Sequence, residues 1–251
     1  MFACIAAFVL SACAVVPQGL PTRPPITVSA AVSLTDVLMA EAQEYARSGG
    51  GNVRFNFGAS NVLARQIASG APVDLFISAD QAQMDVVATA GAIGGTRVDL
   101  LYNQLAVVVP SDRPRTLSSV RELADPGFKR IAIGDPQAVP AGVYAKQYLQ
   151  QMGVWDAVQQ RIVPSASVRA ALSAVETGAV DAAIVYRTDA RISTRASAAL
   201  VVPLADSPRI VYPAAIIKSA EQPAEASRFL DFLRSGKGRL VFERFGFTPV
   251  S

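Results

Sequence analysis

Apolar residues along this chain recur in two rhythms that take turns. Ile26–Val32 is a continuous apolar run of strand length, and Leu34–Arg47 follows with Leu34, Val37, Leu38 and Tyr45 on one helical face. Gly49, Gly50 and Gly51 stop that helix, and Val53–Phe57 alternates at period two. Asn61–Ala68 reads as a helix ending near Gly70, Asp74–Ser78 as a strand and Gln81–Ala90 as a helix. Strands that alternate with helices in this way must be joined by crossovers, so they pair in parallel with helices on the sheet faces.

A second group opens with Leu105–Pro110, a strand of the buried type. It continues through Leu117–Leu123 (helix), Ile131–Gly134 (strand), Val143–Met152 and Val168–Thr177 (helices) and Ala182–Tyr186 (strand). The chain closes with a Val211–Ile217 strand and an Ala224–Leu233 helix striped by Ala226, Phe229, Leu230 and Leu233. Two α/β groups and a strand-helix pair left over predict two lobes, each a mostly parallel sheet flanked by helices. The leftover strand returns to the first lobe. The boundaries expected are 26–103 with 207–251 for lobe I and 104–206 for lobe II.

Composition narrows the chemistry. Of 251 residues, 51% are hydrophobic and 17% charged, which suits a packed core and argues against disorder. The formal charge of +3 comes from scattered residues, with no Lys/Arg run of the kind that tracks nucleic acid. There is no histidine, so Ser-His-Asp and Cys-His pairs and His-based metal sites are excluded. The two cysteines, Cys4 and Cys13, both precede the folded body. Residues 2–12 form a short apolar stretch ending in small residues, as a signal peptide does. Leu10-Ser11-Ala12-Cys13 resembles a lipobox, which predicts a lipid on Cys13 and a periplasmic location or one on the outer face of the cell membrane. Residues 13–25 then form a linker, denied regular hydrogen bonding by Pro17, Pro21, Pro24 and Pro25.

Three strand-to-helix junctions share a chemistry. Ser33 stands as an N-cap candidate with Asp36 three residues on, in the manner of a capping box, and Ser60 opens the next helix. In Gly134–Ala145 a proline-bracketed turn delivers the backbone N–H of Ala141 at a helix start. Helix N-termini offer unpaired N–H groups and the positive end of the macrodipole, so they hold anions without a charged side chain. Asp74, Asp80 and Asp135 near strand ends read as caps and turn residues rather than a carboxylate metal site of a metal-dependent enzyme. Arg65 and Arg169 read as surface or inter-lobe residues rather than counter-charges. These residues on their own specify an α/β protein with several anion-binding helix starts, and no more.

Seven stretches are similar to the periplasmic molybdate-binding proteins of ABC transporters, a family with the type II periplasmic-binding-protein fold. They are Ala31–Thr35 (AVSLT), Ala59–Ile67 (ASNVLARQI), Gly70–Asp80 (GAPVDLFISAD), Gly134–Ala145 (GDPQAVPAGVYA), Pro164–Glu176 (PSASVRAALSAVE), Ile184–Ala190 (IVYRTDA) and Arg244–Thr248 (RFGFT). The resemblance implies a non-enzymatic binding subunit that takes molybdate, and tungstate with it, in the cleft between the lobes. It implies no resident cofactor, an ABC permease as membrane partner and a monomeric chain. Carried over position by position, Ser33 and Ser60 would donate from lobe I, Ala141 and Val168 through backbone N–H from lobe II, and Tyr186 through its hydroxyl. The molybdenum would touch no protein atom directly. Where the family often carries a small polar residue after the second serine, this chain has Asn61. Sulfate is the alternative ligand for the same fold.

Overall fold

A computed structural model describes residues 23–250 of the chain. Strand β1 (Ile26–Ala31) leads through a 3-10 turn at Val32–Leu34 into α1 (Thr35–Arg47), then β2 (Val53–Gly58), α2 (Ser60–Ala68), β3 (Leu75–Ile77), α3 (Gln81–Thr89) and β4 (Val98–Asn103). The second group holds β5 (Leu105–Pro110), β6 (Ile131–Gly134), α4 (Pro140–Gln151), α5 (Trp155–Val158), β7 (Ile162–Ser165), α6 (Val168–Glu176), β8 (Ala182–Tyr186), α7 (Arg187–Ile192) and β9 (Ala196–Val201). The chain ends with β10 (Ile210–Ile216), α8 (Pro223–Arg234), α9 (Gly236–Arg244) and β11 (Thr248–Pro249).

The strands form two sheets, one ordered β11-β4-β10-β3-β1-β2 and the other β7-β6-β8-β5-β9. The first mixes strands from both ends of the chain, so the backbone passes between lobes twice, at Gln104 and again between β9 and β10. Parallel pairing holds for β1 with β2 and β3, and for β6 with β7 and β8. The expected mostly parallel sheets are corrected here to mixed ones: β10 runs antiparallel to β3 and β4, and β5 antiparallel to β8 and β9. The reason is the crossing itself. A strand that returns from the other lobe enters at the opposite end from one that follows a helix.

Burial explains the rhythms. β1 and β8, interior to their sheets, are buried almost throughout, Ser29 included, whereas the edge strand β2 alternates. One predicted helix is absent. Leu117–Leu123 forms only a short 3-10 turn at Val120–Ala124, capped by Ser119. The Ser119 cap opens the turn two residues after Leu117, and the Asp125-Pro126 step ends it. Helix α4 starts at Pro140, three residues before the expected Val143, because proline at the first helical position needs no N–H acceptor. The C-terminal helices are fixed to lobe I by Tyr45, whose ring meets Phe229 at 5.1 Å and Phe232 at 5.2 Å and whose hydroxyl donates to Glu225 Oε1 at 2.6 Å.

The two crossings are tied to each other. Gln104 Nε2 donates to the Val202 carbonyl at 3.2 Å, and Val202 N–H donates to the Leu105 carbonyl at 2.9 Å. Gln104 N–H is held in turn by Asn103 Oδ1 at 2.9 Å.

Glu41 on α1 is fully buried and neither carboxylate oxygen has a hydrogen-bond partner. Burial pushes its carboxyl up to about 9 from the ordinary 4.5, with Arg244 pulling the other way. The folded state therefore holds this proton more tightly than the unfolded chain, and stability is lost as pH rises from about 4.5 to about 9. We expect Glu41→Met, which fills the same space without unpaired oxygens, to stabilise the protein by ~1–3 kcal/mol at pH 8. The gain should shrink toward pH 5, as read by denaturant unfolding at both pH values.

Candidate anion-binding site

Parallel pairing brings the carboxyl ends of β1 and β2 side by side, with Ala31 opposite Gly58, and in the other sheet sets Gly134 opposite Ser165. Each of these ends feeds a helix or 3-10 turn. The starts from the two lobes face one another across a cavity lined by Ser33, Ser60, Ala141, Val168 and Tyr186 together with Ala31, Val32, Gly58, Ala59, Ala79, Val139 and Pro140. The structure thus places all five site residues expected from the sequence around one space. None of the lining residues is ionisable except the Tyr186 phenol. The space open to the centre of a water-sized sphere is about 20 Å³, enough for a small polyatomic ion and far too little for a sugar or nucleotide. Ser33, Ser60, Ala141, Val168 and Tyr186 are each at most 4% exposed, so a ligand enters only when the lobes part.

A side-chain cap is missing from several helix starts, among them α1, α5 and α8, and is present at α6, where Ser167 supplies it. Elsewhere Asp80 caps α3, Ser119 the 3-10 turn and Ser235 α9, each accepting a first-turn N–H. No side chain caps the 3-10 turn after β1, helix α2 or helix α4. Their first-turn N–H groups have no intrahelical acceptor. In α4, Pro140 has no N–H, and those of Gly142 and Val143 both reach the Val139 carbonyl, which leaves Ala141 as the donor at the cavity. In α2, Val62 and Leu63 N–H take the Ala59 carbonyl and leave those of Ser60 and Asn61. In α6, Ser167 Oγ accepts from Ala170 N–H and its carbonyl from Ala171, which leaves Val168 at the tip.

One expectation is corrected. Ser33 is not an N-cap and makes no capping box with Asp36: it lies inside the 3-10 turn, where Ala31 holds the cap position. The apolar Val32-Ser33-Leu34 step tightens the chain before α1 begins, and this turns the serine inward. Its hydroxyl lies 3.1 Å from Tyr212 Oη. Asn103 sets the direction of that bond. Its Oδ1 accepts Gln104 N–H, so its Nδ2 faces Thr188 Oγ1 at 2.9 Å and Tyr212 Oη at 3.3 Å. Tyr212 accepts from Asn103, so its own proton is available to Ser33, and a bond in that sense leaves the Ser33 proton for the cavity. Ser60 is arranged likewise: its Oγ accepts Ala79 N–H at 3.0 Å, which frees its proton. Both hydroxyls are thereby oriented as donors.

Tyr186 completes the set. It is buried and its hydroxyl has no partner among the described residues. Burial holds its phenol well above the ordinary 10.0, reinforced by Tyr212, Tyr144, Asp80 and Asp189, so it stays protonated and can only donate to an anion. The cavity therefore presents O–H and N–H donors and no carboxylate.

Other residues singled out in the sequence fall outside this lining. Asn61 is buried beside it with Oδ1 unpartnered. Asp80 caps α3, Asp135 accepts Gln137 N–H in a turn, and Asp74 ties Thr27 N–H to Gln222 N–H; no metal-binding cluster exists among the described residues. Arg65 is exposed. Cys13, the signal segment and most of the linker lie outside the described residues. Tyr212 and Asn103, which aim Ser33, were not singled out by the sequence: a tyrosine within Ile210–Ile216 looks like any core aromatic.

Gly142 lets the Ala141 N–H reach its place, because a Cβ there would stand 1.9 Å from the Gly134 carbonyl oxygen and 2.7 Å from that of Asp135. Gly142→Ala should lower stability by ~1–3 kcal/mol in chemical unfolding, as α4 is forced away from β6.

Residues 26–248 match the family described as bacterial extracellular solute-binding protein. The chain is 38% identical over 242 residues to the molybdate-binding protein ModA of Escherichia coli K12, covering 94% of this chain and 93% of that one. It is 36% identical to the putative ABC transporter substrate-binding lipoprotein YvgL of Bacillus subtilis over 89% of this chain and 86% of that protein. Among solved structures, the periplasmic molybdate-binding protein of Azotobacter vinelandii aligns with a TM-score of 0.81 at 27% identity, over 90% of this chain and 100% of that one. With parallel strand ends feeding uncapped helix starts on both sides of one cavity, and with relatives matched along nearly its whole folded length, the chain belongs to the bacterial extracellular solute-binding protein family, in its ModA group.

Proposed function

We propose that this protein is the extracytoplasmic binding subunit of an ABC importer and carries molybdate, with tungstate as a close second, to a membrane permease. The observation that carries this reading is the donor-only cavity. Molybdate at neutral pH is a tetrahedral dianion with no proton. It accepts hydrogen bonds and offers none, which matches two serine hydroxyls, one tyrosine hydroxyl and the helix-start N–H groups of Ser60, Ala141 and Val168. Phosphate keeps a proton at this pH and would leave it facing other donors, a costly mismatch. Sulfate is a bare dianion too, so discrimination against it falls to size: its oxygens sit closer to the centre than those of an oxometalate, and a rigid cavity of fixed helix starts holds it loosely.

The donors suffice without a cation. Hydrogen bonds to a charged group contribute roughly 1.5–3 kcal/mol each, so six of them give about 9–18 kcal/mol against the ~8 kcal/mol that micromolar affinity requires. The surplus covers ordering and closure. Donors come from both lobes, so the anion stabilises the closed form over the open one, and the closed form is what the permease reads. The lipobox resemblance at Cys13 fits a lipid tether on the outer membrane face, and the Bacillus subtilis relative is itself named a lipoprotein.

Calorimetric titration should give tight binding of molybdate and tungstate, weaker binding of sulfate and none of phosphate at neutral pH. Tyr186→Phe and Ser60→Ala should each weaken molybdate by about tenfold, the loss of one charge-assisted bond of ~1.5 kcal/mol. Phosphate binding as tight as molybdate would overturn the assignment. In cells fed an alkyne-tagged fatty acid, the full chain should take up label and Cys13→Ser should not.

A further inference from the structure

We propose that Arg169 and Asp36 form a latch across the cleft, made on closure and broken on opening, that sets how long the anion is held. The proposal rests on the anion-binding reading above. Arg169 follows the cavity donor Val168 in α6, within lobe II. Its Nε donates to Asp189 Oδ1 at 2.6 Å in the same lobe, and its Nη2 to Asp36 Oδ2 at 2.6 Å on α1 of lobe I. Among the described residues it is the one ion pair that joins the two lobes; the others each stay within one.

The arrangement divides into a permanent half and a conditional half. Asp189 is wholly buried and its other oxygen accepts Tyr186 N–H at 3.2 Å. One carboxylate thus fixes both the guanidinium and the backbone of the residue that brings the phenol donor. That half lies inside lobe II and survives opening. Asp36 is 44% exposed and reaches Arg169 only when α1 and α6 approach. Exposed ion pairs are weak chiefly because two long side chains must be ordered and because water screens them. Here Arg169 is already ordered by Asp189, so closure immobilises only the short Asp36 side chain, which the guanidinium meets through Nη2 while Nε stays on Asp189. With its donors committed to two carboxylates, Arg169 is a positioning residue and leaves the anion to neutral donors.

The test compares wild type, Asp36→Asn and Asp36→Glu in the full chain, following release of isotope-labelled molybdate into an unlabelled chase at low and high salt. Because Asp36 is half-exposed and touches no ligand, the unliganded melting midpoint should be the same in all three. At low salt Asp36→Asn should release the anion about fivefold faster with an unchanged association rate, and Asp36→Glu should recover most of the difference. At high salt wild type should approach Asp36→Asn. Equal release rates for wild type and Asp36→Asn at low salt would overturn the latch, as would a slowed association that accounts for the whole loss. If wild type retains sulfate rather than molybdate, the same comparison made with labelled sulfate still decides the latch, while the molybdate reading falls. If no anion is retained, both fall.

Discussion

A helix start that no side chain caps leaves its first N–H groups in need of an acceptor, and in a buried place water cannot supply one freely. Two helix starts and one 3-10 start in that condition face the same small cavity. Everything else follows from getting them there. Parallel pairing of β1 with β2 puts two starts at one sheet edge; parallel pairing of β6 with β7 and β8 does the same opposite. The cost of leaving donors unpaired is accepted there, while α3, the 3-10 turn at Val120–Ala124 and α9 are closed off by Asp80, Ser119 and Ser235.

Orientation of the hydroxyls is a second layer built on the first. A serine can donate or accept, and nothing about a serine near a cavity says which. Here the choice is made behind the cavity, by Asn103 through Tyr212 for Ser33 and by the Ala79 N–H for Ser60. Both supporting arrangements draw on backbone that the fold has already fixed. The sign of the site, attractive to bare anions and hostile to protonated ones, thus comes from residues that need not touch a ligand.

Much of this could be read from the sequence, and the remainder could not for identifiable reasons. The strand and helix rhythms located β5, β6 and β8 to the residue, since runs such as Leu105–Pro110 bury both faces and carry a strong signal. Ser60 and the turn before Ala141 were visible as helix starts because serine and proline have definite positional preferences. Val168 was visible only through family resemblance: its contribution is a main-chain N–H, which any residue has, and its side chain reports core packing. Tyr186 was hidden in the same way by an apolar strand. Ser33 lines the cavity from within a 3-10 turn, where an N-cap was expected. Partners 133 residues apart, such as Asp36 and Arg169, leave no trace in local periodicity. The antiparallel returns of β5 and β10 depend on where the chain re-enters each sheet, which periodicity does not encode.

The paired crossings have a mechanical consequence. Because Gln104 and Val202 are hydrogen-bonded to each other's segments, the two crossings leave lobe II from one tied point, after which the second runs through a turn at 204–207 before β10. A shared exit point restricts sliding of one half past the other, so the opposing donors meet in a similar alignment, and a cargo slightly too small meets the same ill-fitting geometry.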